Sequence, residues 1–380
     1  MNFIPALAVL TFPFLGLQEE VSEDTSTWVV VEGARVLPVA GDAIDDGVLL
    51  IRDGSIFQVG AAGAVEVPEG AERIDGSGLV LTPGLVDAGA YLPTGSTNHG
   101  RSGPGHDTYQ DFNAYATAEQ FREMLRSGVT AAHITPRGFG PVGCSSSVVK
   151  IRPGAPSNEW LVRRGALLNS RLNDPADPFS PTKELDALAK KLREVRGARE
   201  KQAKAVEEMD EYADEVEEFW EDWDKAKKKE EKDKKKAEEK GEEPKKTKYP
   251  KPPKKPKPAK ADPDRDALLS VVEGRRSLRV EVHDAGLIDG LVEVALDTGA
   301  DLVLVGATGL AEDLEPLEGR RIPVLLGPVE LTERSRRGVL QDHDPELAGR
   351  LEAAGIPVAI TAGGDSRFLA LRAAQAMPHG

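Results

Sequence analysis

The sequence predicts an α/β protein built on a (β/α)8 TIM-like barrel, with a β-rich N-terminal unit and a long charged helical insertion. Three observations carry this. Apolar strand-like runs at 277–283, 300–306, 321–328 and 356–361 surround a helical run at 287–298, and that alternation is the pattern of parallel βαβ units. Near the N-terminus two β-rich runs are joined by Asp53-Gly54, a dipeptide favoured in tight hairpin turns. Between them, Leu185, Leu188, Leu192 and Val195 open an apolar stripe with a period near 3.5, the signature of a long helix.

The N-terminal strands are the runs at 28–38 and 46–60, followed by 73–81. A helix at 121–128 ends on Gly128, and Val129 to Ile134 then reads as a strand. The insertion stripe continues through Val206, Met209, Ala213, Val216, Trp220 and Trp223, crossing polar Arg199 and Gln202. That register fits one long helix, a helical hairpin, or a helix along the barrel flank. After Trp223 the chain is Lys/Glu-rich to Lys240, Gly241 breaks it, and 244–263 is a Lys/Pro tract read as an extended or disordered linker. The helix at 369–377 closes the α/β pattern.

Composition bounds the function. The chain has 380 residues and a formal net charge of −15, which opposes nucleic-acid binding by the globular part. Cys144 is the only cysteine, so no intrachain disulfide forms. Residues 3–17 are almost wholly apolar and give way to Gln18-Glu19-Glu20; they are too short for a stable membrane span and read as a signal peptide over 1–18. The protein is then exported, to a periplasmic location. A buried N-terminal helix is the other reading, opposed by Pro5 and Pro13. The exposed Lys-rich tract and the aromatic pair Trp220 and Trp223 make the insertion a candidate surface for a protein partner.

One stretch carries a family resemblance. Leu81-Thr82-Pro83-Gly84-Leu85-Val86-Asp87-Ala88-Gly89-Ala90-Tyr91 resembles the first barrel strand of the amidohydrolase superfamily, where a Pro-Gly-hydrophobic-hydrophobic-Asp run leads into His-x-His. The strands upstream resemble that family's small β-sandwich. Gly140 to Lys150 is similar to a Gly/Ser-rich segment of its imidazolonepropionase-like branch. The resemblance divides the chain into a partial, incomplete β-sandwich (26–81), a first part of the barrel (82–182), the insertion and linker (183–262) and a second part of the barrel (263–380). Family members continue past Pro378 with another helix and more strands, so the chain reads as C-terminally truncated relative to them.

The resemblance implies a metal-dependent hydrolase of non-peptide C–N bonds acting on a small molecule. Zn or another divalent metal would be its cofactor if it is active. His283, ending a strand, matches a histidine that commonly ligates metal. Asp365 matches the aspartate that binds metal and takes a proton from the attacking water. Where the family has His-x-His this chain has Gly89 and Tyr91, and the sixth-strand histidine falls near Gly306. Two surviving ligands are fewer than the three or more that catalytic zinc sites offer. His99 and His106 lie in a following Gly-rich loop as candidate substitutes. Lys150 is either a metal-bridging carboxylated lysine or a surface ion-pair partner, and His133 either a ligand or a structural histidine. The alternative to a hydrolase with a degraded metal site is a non-catalytic amidohydrolase-fold binding or scaffold protein.

Overall fold

A computed structural model describes residues 26–92, 103–116, 118–136, 140–172, 181–241, 243, 246–256, 261–327, 333–334, 340–341 and 344–376. The apolar segment read as a signal peptide, and His99, lie outside these residues. The chain divides into two compact units at Pro83/Gly84.

The first unit is a five-stranded sheet: β1 (Trp28–Val36), β2 (Ile44–Arg52), β3 (Ser55–Ala61), β4 (Glu72–Asp75) and β5 (Val80–Leu81). Its order is β3-β2-β1-β4, with β5 continuing alongside β1. The β2–β3 connection is the hairpin expected at Asp53-Gly54. Both residues have positive φ (50° and 75°), as a two-residue turn matched to strand twist requires. Asp53 Oδ1 accepts the Thr27 amide at 2.9 Å and fixes that end of the sheet. Val30, Val48, Leu50 and Val65 form the core, while Ile56, Phe57 and Ile74 remain exposed.

The second unit holds an eight-stranded sheet in the order β15-β12-β11-β10-β9-β8-β7-β6. Its strands are β6 (Leu85–Ala90), β7 (Val129–Ile134), β8 (Ser145–Lys150), β9 (Leu161–Arg171), β10 (Ser277–Val282), β11 (Leu302–Gly306), β12 (Val324–Leu326) and β15 (Val358–Ile360), with β13 (Glu333–Arg334) and β14 (Leu340–Gln341) forming a separate pair. The sheet curls so that Thr361, just past β15, hydrogen-bonds Asp87 of β6 at 3.0 Å. This nearly closes the barrel. The helices are α1 (Ala118–Arg126), α2 (Pro181–Lys240), α3 (Pro263–Val272), α4 (Ala285–Thr298), α5 (Leu347–Ala353) and α6 (Leu369–Ala376).

One strand departs from uniform parallel pairing: β8 runs antiparallel to both β7 and β9. The reason is the connections. A parallel crossover needs a dozen or more residues and usually a helix, whereas the links into and out of β8 are short. Elsewhere helices supply the crossovers. Asp284 caps α4 by accepting the Leu287 amide at 3.0 Å, and Gly299 ends it in the left-handed conformation (φ 77°). Leu278, Val280 and Val282 pack with α4 residues Ile288 and Leu291. Strand alternation therefore turns Arg279, Glu281 and His283 to the inner face.

The insertion is one continuous helix of 60 residues, about 90 Å long at the α-helical rise. Leu188, Leu192 and Val195 are buried in the barrel-side core, and Arg193 pairs with Asp297 of α4 at 2.7 Å. Farther along, Met209, Tyr212, Val216, Phe219, Trp223 and Ala226 are half-buried at alternating spacings of three and four. Tyr249 of the Lys/Pro tract supplies a partner near the Trp223 end of this stripe. Tyr249 stacks obliquely on Trp223 with ring centroids 5.4 Å apart, and its hydroxyl bonds Glu230. Within the tract Thr247, Pro250, Pro253 and Pro256 are the half-buried positions, a three-residue period that matches polyproline II geometry. Glu273, which caps the C-terminal end of α3, pairs with Arg199 of α2 at 3.7 Å. Residues 246–256 thus form a strap held against the arm at Tyr249.

Tyr249→Ala removes the ring that anchors this strap. Limited proteolysis should then cut residues 246–256 several-fold faster than in the unaltered protein, with little loss of helical circular dichroism. Equal cutting rates would show that Tyr249 does not hold the strap.

Candidate functional site

The C-terminal ends of the parallel strands form the face where barrel enzymes carry their chemistry. Tyr91, His283, Gly306, Thr361 and Asp365 all fall at or just beyond these ends. Lys150 does not. Because β8 is antiparallel, its last residue pairs with Ala131, near the beginning of β7, and its side chain is exposed.

Two positions where the resemblance expects imidazoles have no free volume. A Cβ at Gly89 would lie 2.2 Å from Thr361 Oγ1. A Cβ at Gly306 would lie 2.3 Å from Cε1 of His283, and Gly306 has φ +80°, a conformation that disfavours any side chain. His283 thus lies over the backbone of Gly306, with Nδ1 3.0 Å from Thr308 Oγ1. Asp365 also has an occupant. Arg367 grips its carboxylate through Nη2 at 2.7 Å and Nε at 3.0 Å, and Asp365 accepts the Arg367 amide at 3.1 Å as the cap of a short 3₁₀ turn. Arg367 reaches on to Glu123 at 2.6 Å. These bonds hold the Asp365 carboxyl below its ordinary pKa, so it is a weaker proton acceptor than a base tuned near neutrality.

His106 and His133 are also committed. His106 Nε2 lies 2.8 Å from Asp111 Oδ2. His133 Nδ1 lies 3.1 Å from the Ala88 carbonyl, which can only accept, so the proton belongs on Nδ1. Nε2 then accepts from Ser146 Oγ at 2.5 Å, and Asn169 Nδ2 donates to the same hydroxyl at 2.8 Å. Burial, reinforced by the Arg279 charge, pushes His133 down to about 3. It is a neutral wall element. Cys144 is inert for a similar reason, its thiol pushed up to about 12 by burial.

Among the described residues, no group of three or more His, Cys, Asp and Glu side chains is placed to hold a metal ion. With the imidazole positions filled and Asp365 bound to Arg367, the described donor set does not fit a catalytic divalent metal.

The barrel interior instead carries residues that the sequence reading missed. Asp87 is fully buried; its Oδ1 accepts the Gly89 amide at 2.9 Å and the Thr361 hydroxyl at 3.0 Å, while Oδ2 has no hydrogen-bond partner. Arg279 is 3% exposed, and its Nε and Nη1 make no hydrogen bond. Burial lowers its pKa, opposed by Glu281, Tyr91 and Asp87. Arg171 and Glu281 form an ion pair of 2.7 Å nearer the mouth. The available signal was the polar alternation at Arg279, Glu281 and His283 within an otherwise apolar strand.

No protein-family model matches the chain. A dihydroorotase from Geobacter metallireducens is 27% identical over 138 residues, 36% of this chain and 26% of the relative. An imidazolonepropionase from Rhizobium rhizogenes is 32% identical over 98 residues, 25% and 22% of the two chains. A 5-methylthioadenosine/S-adenosylhomocysteine deaminase from Symbiobacterium thermophilum is 39% identical over 61 residues, 16% and 14%. These matches span about a quarter or less of each relative's length. The crystal structure of an amidohydrolase from Thermotoga maritima superposes with a TM-score of 0.70 at 20% identity, covering 93% of this chain and 84% of that one. The fold is therefore an amidohydrolase barrel. The chain is a divergent relative of the amidohydrolase superfamily.

The His133 environment sets a pH dependence. Its folded pKa, about 3, lies below the ordinary 6.5, so its contribution to stability is full above about 6.5 and is lost as pH falls toward 3. Urea unfolding of the protein and of His133→Gln should show a stability gap that narrows on acidification by up to about 1.4 kcal/mol per pH unit. A gap independent of pH would contradict a buried neutral imidazole.

Proposed function

We propose that this barrel is a binding protein on an amidohydrolase scaffold, with the superfamily's metal site lost. One observation carries the reading: Thr361 and His283 fill the space beside Gly89 and Gly306, where metal-binding imidazoles are expected. The Arg367 clamp on Asp365 supports it. Catalysis by metal-bound water needs an open coordination position, a fixed ligand set and a base. At the described strand ends His283 is bonded to Thr308 and Asp365 to Arg367.

The hydrolase reading has its own support, since the relatives include proteins named dihydroorotase and imidazolonepropionase. In that reading a C–N bond of a small molecule is cleaved, and loop residues complete the metal site. Fold alone does not choose between the two. The apolar N-terminal segment supports export in either case.

Metal content separates them. After dialysis against a weak chelator, the purified protein should carry well under one equivalent of Zn, Mn or Fe by plasma mass spectrometry. It should also show no cyclic-amide hydrolysis when Zn is added. One equivalent of retained metal together with turnover would overturn the binding-protein reading.

A further inference from the structure

A cavity of about 360 Å³ opens at the N-terminal ends of the parallel strands, a volume within the range of small-molecule sites. Val86 near the start of β6, Ser277 at the start of β10 and the turn at 274–276 all line it. Its wall is apolar, with Ala88, Val148 and Leu167 beside Val86. The His133 ring completes that wall, neutral and with both nitrogens engaged. Three arginines, Arg163, Arg275 and Arg276, also line the cavity, and among the described residues no acid does.

A bulge in β9 builds this arrangement. From the Ser146–Leu167 pair to the Val148–Arg163 pair is two steps along β8 (146 to 148) but four along β9 (167 to 163). Gly165 sits in the bulge with φ +56°, and a Cβ there would lie 2.7 Å from Arg276 Nη2. Its missing side chain leaves room for that guanidinium. Buried Asp107 pins the bulge, its Oδ2 accepting the Gly165 amide at 2.8 Å and its Oδ1 the Ser147 hydroxyl at 2.7 Å. Bulges re-aim side chains and recur beside functional sites.

The arginines are only partly paired. Arg275 meets Glu273 at 2.8 Å, whereas among the described residues Arg163 and Arg276 have no carboxylate within ion-pair distance. Arg276 is half-buried and donates to Ser145 Oγ. Burial lowers its pKa, and the Arg275 and Arg163 charges push the same way against Asp107. Like charges gathered at one cavity disfavour one another, and an anion between them reverses that cost. Guanidinium forks match the two oxygens of a carboxylate, and the apolar wall calls for an apolar body behind that head.

We propose that this cavity binds an organic carboxylate, with its head among Arg163, Arg275 and Arg276 and its body against Val148 and Leu167. The site lies away from the C-terminal strand ends, so it does not depend on whether those hold a metal.

Isothermal titration calorimetry of the full chain in low-salt buffer, with benzoate and with octanoate, tests this. Each should bind with a Kd of about 1 mM or below. Benzamide keeps the ring without the charge, and inorganic phosphate keeps the charge without the apolar body. Both should bind at least about tenfold more weakly. Arg163→Glu changes an exposed side chain, so circular dichroism should be unaltered while octanoate affinity falls about tenfold or more. Arg164→Glu makes the same charge change at an exposed neighbour outside the cavity, and octanoate should bind it as it binds the unaltered protein. No carboxylate binding by about 10 mM would overturn the proposal. So would equal binding of benzamide or phosphate, or equal affinities in the two variants.

Discussion

The hydrogen bond between Thr361 and Asp87 is the constraint on which the barrel interior depends. It joins the last strand to the first across the seam where the sheet closes, and Asp87 spends the same oxygen on the Gly89 amide. That geometry places the Thr361 side chain where a larger residue at 89 would have to stand. Barrel closure and a side chain at 89 therefore compete for one volume. Glycine resolves the competition in favour of closure. The same logic recurs at Gly306, whose missing side chain gives the His283 ring its place. At both glycines, where the resemblance expects imidazoles, a neighbouring side chain occupies the space a Cβ would need.

Charge in the interior follows from this arrangement. A metal site would surround a divalent cation with neutral imidazoles and carboxylates. Here Arg279 supplies the buried positive charge, with Asp87 and Glu281 acting on it at longer range. Holding an unpaired guanidinium in a barrel costs several kcal/mol after relaxation, a cost that packing alone does not require. Burial keeps His133 neutral, and the Arg279 charge adds to this because a second positive charge nearby would be repelled.

Much of the fold was legible in the sequence because its signals are local. Asp53-Gly54 encodes its hairpin, the apolar run at 287–298 marks α4, and the apolar strands follow from composition. The antiparallel β8 was not legible: Val148 and Val149 look the same in either direction, and only the absence of room for crossover helices sets the sense. The site was partly legible. The sequence shows that Gly89 and Gly306 lack ligands, but not that Thr361 and His283 occupy their space, since those contacts link residues far apart in the chain. Asp365 was picked out by its place after the last strand, and its clamp by Arg367 two residues on depends on the local turn. In the arm, the Lys/Pro composition looked like a linker. The extended form of that linker fits residues 246–256, where the three-residue spacing of Pro250, Pro253 and Pro256 leaves one shielded face.

The central proposal is that the described strand ends do not hold a catalytic metal. The most direct measurement is anomalous diffraction at the zinc absorption edge from crystals soaked in excess Zn. The account predicts no ordered anomalous peak at the barrel mouth, with Thr361 still bonded to Asp87 and Arg367 still on Asp365. An ordered peak within ligand distance of His283 and Asp365, with the Arg367 clamp released, would contradict it.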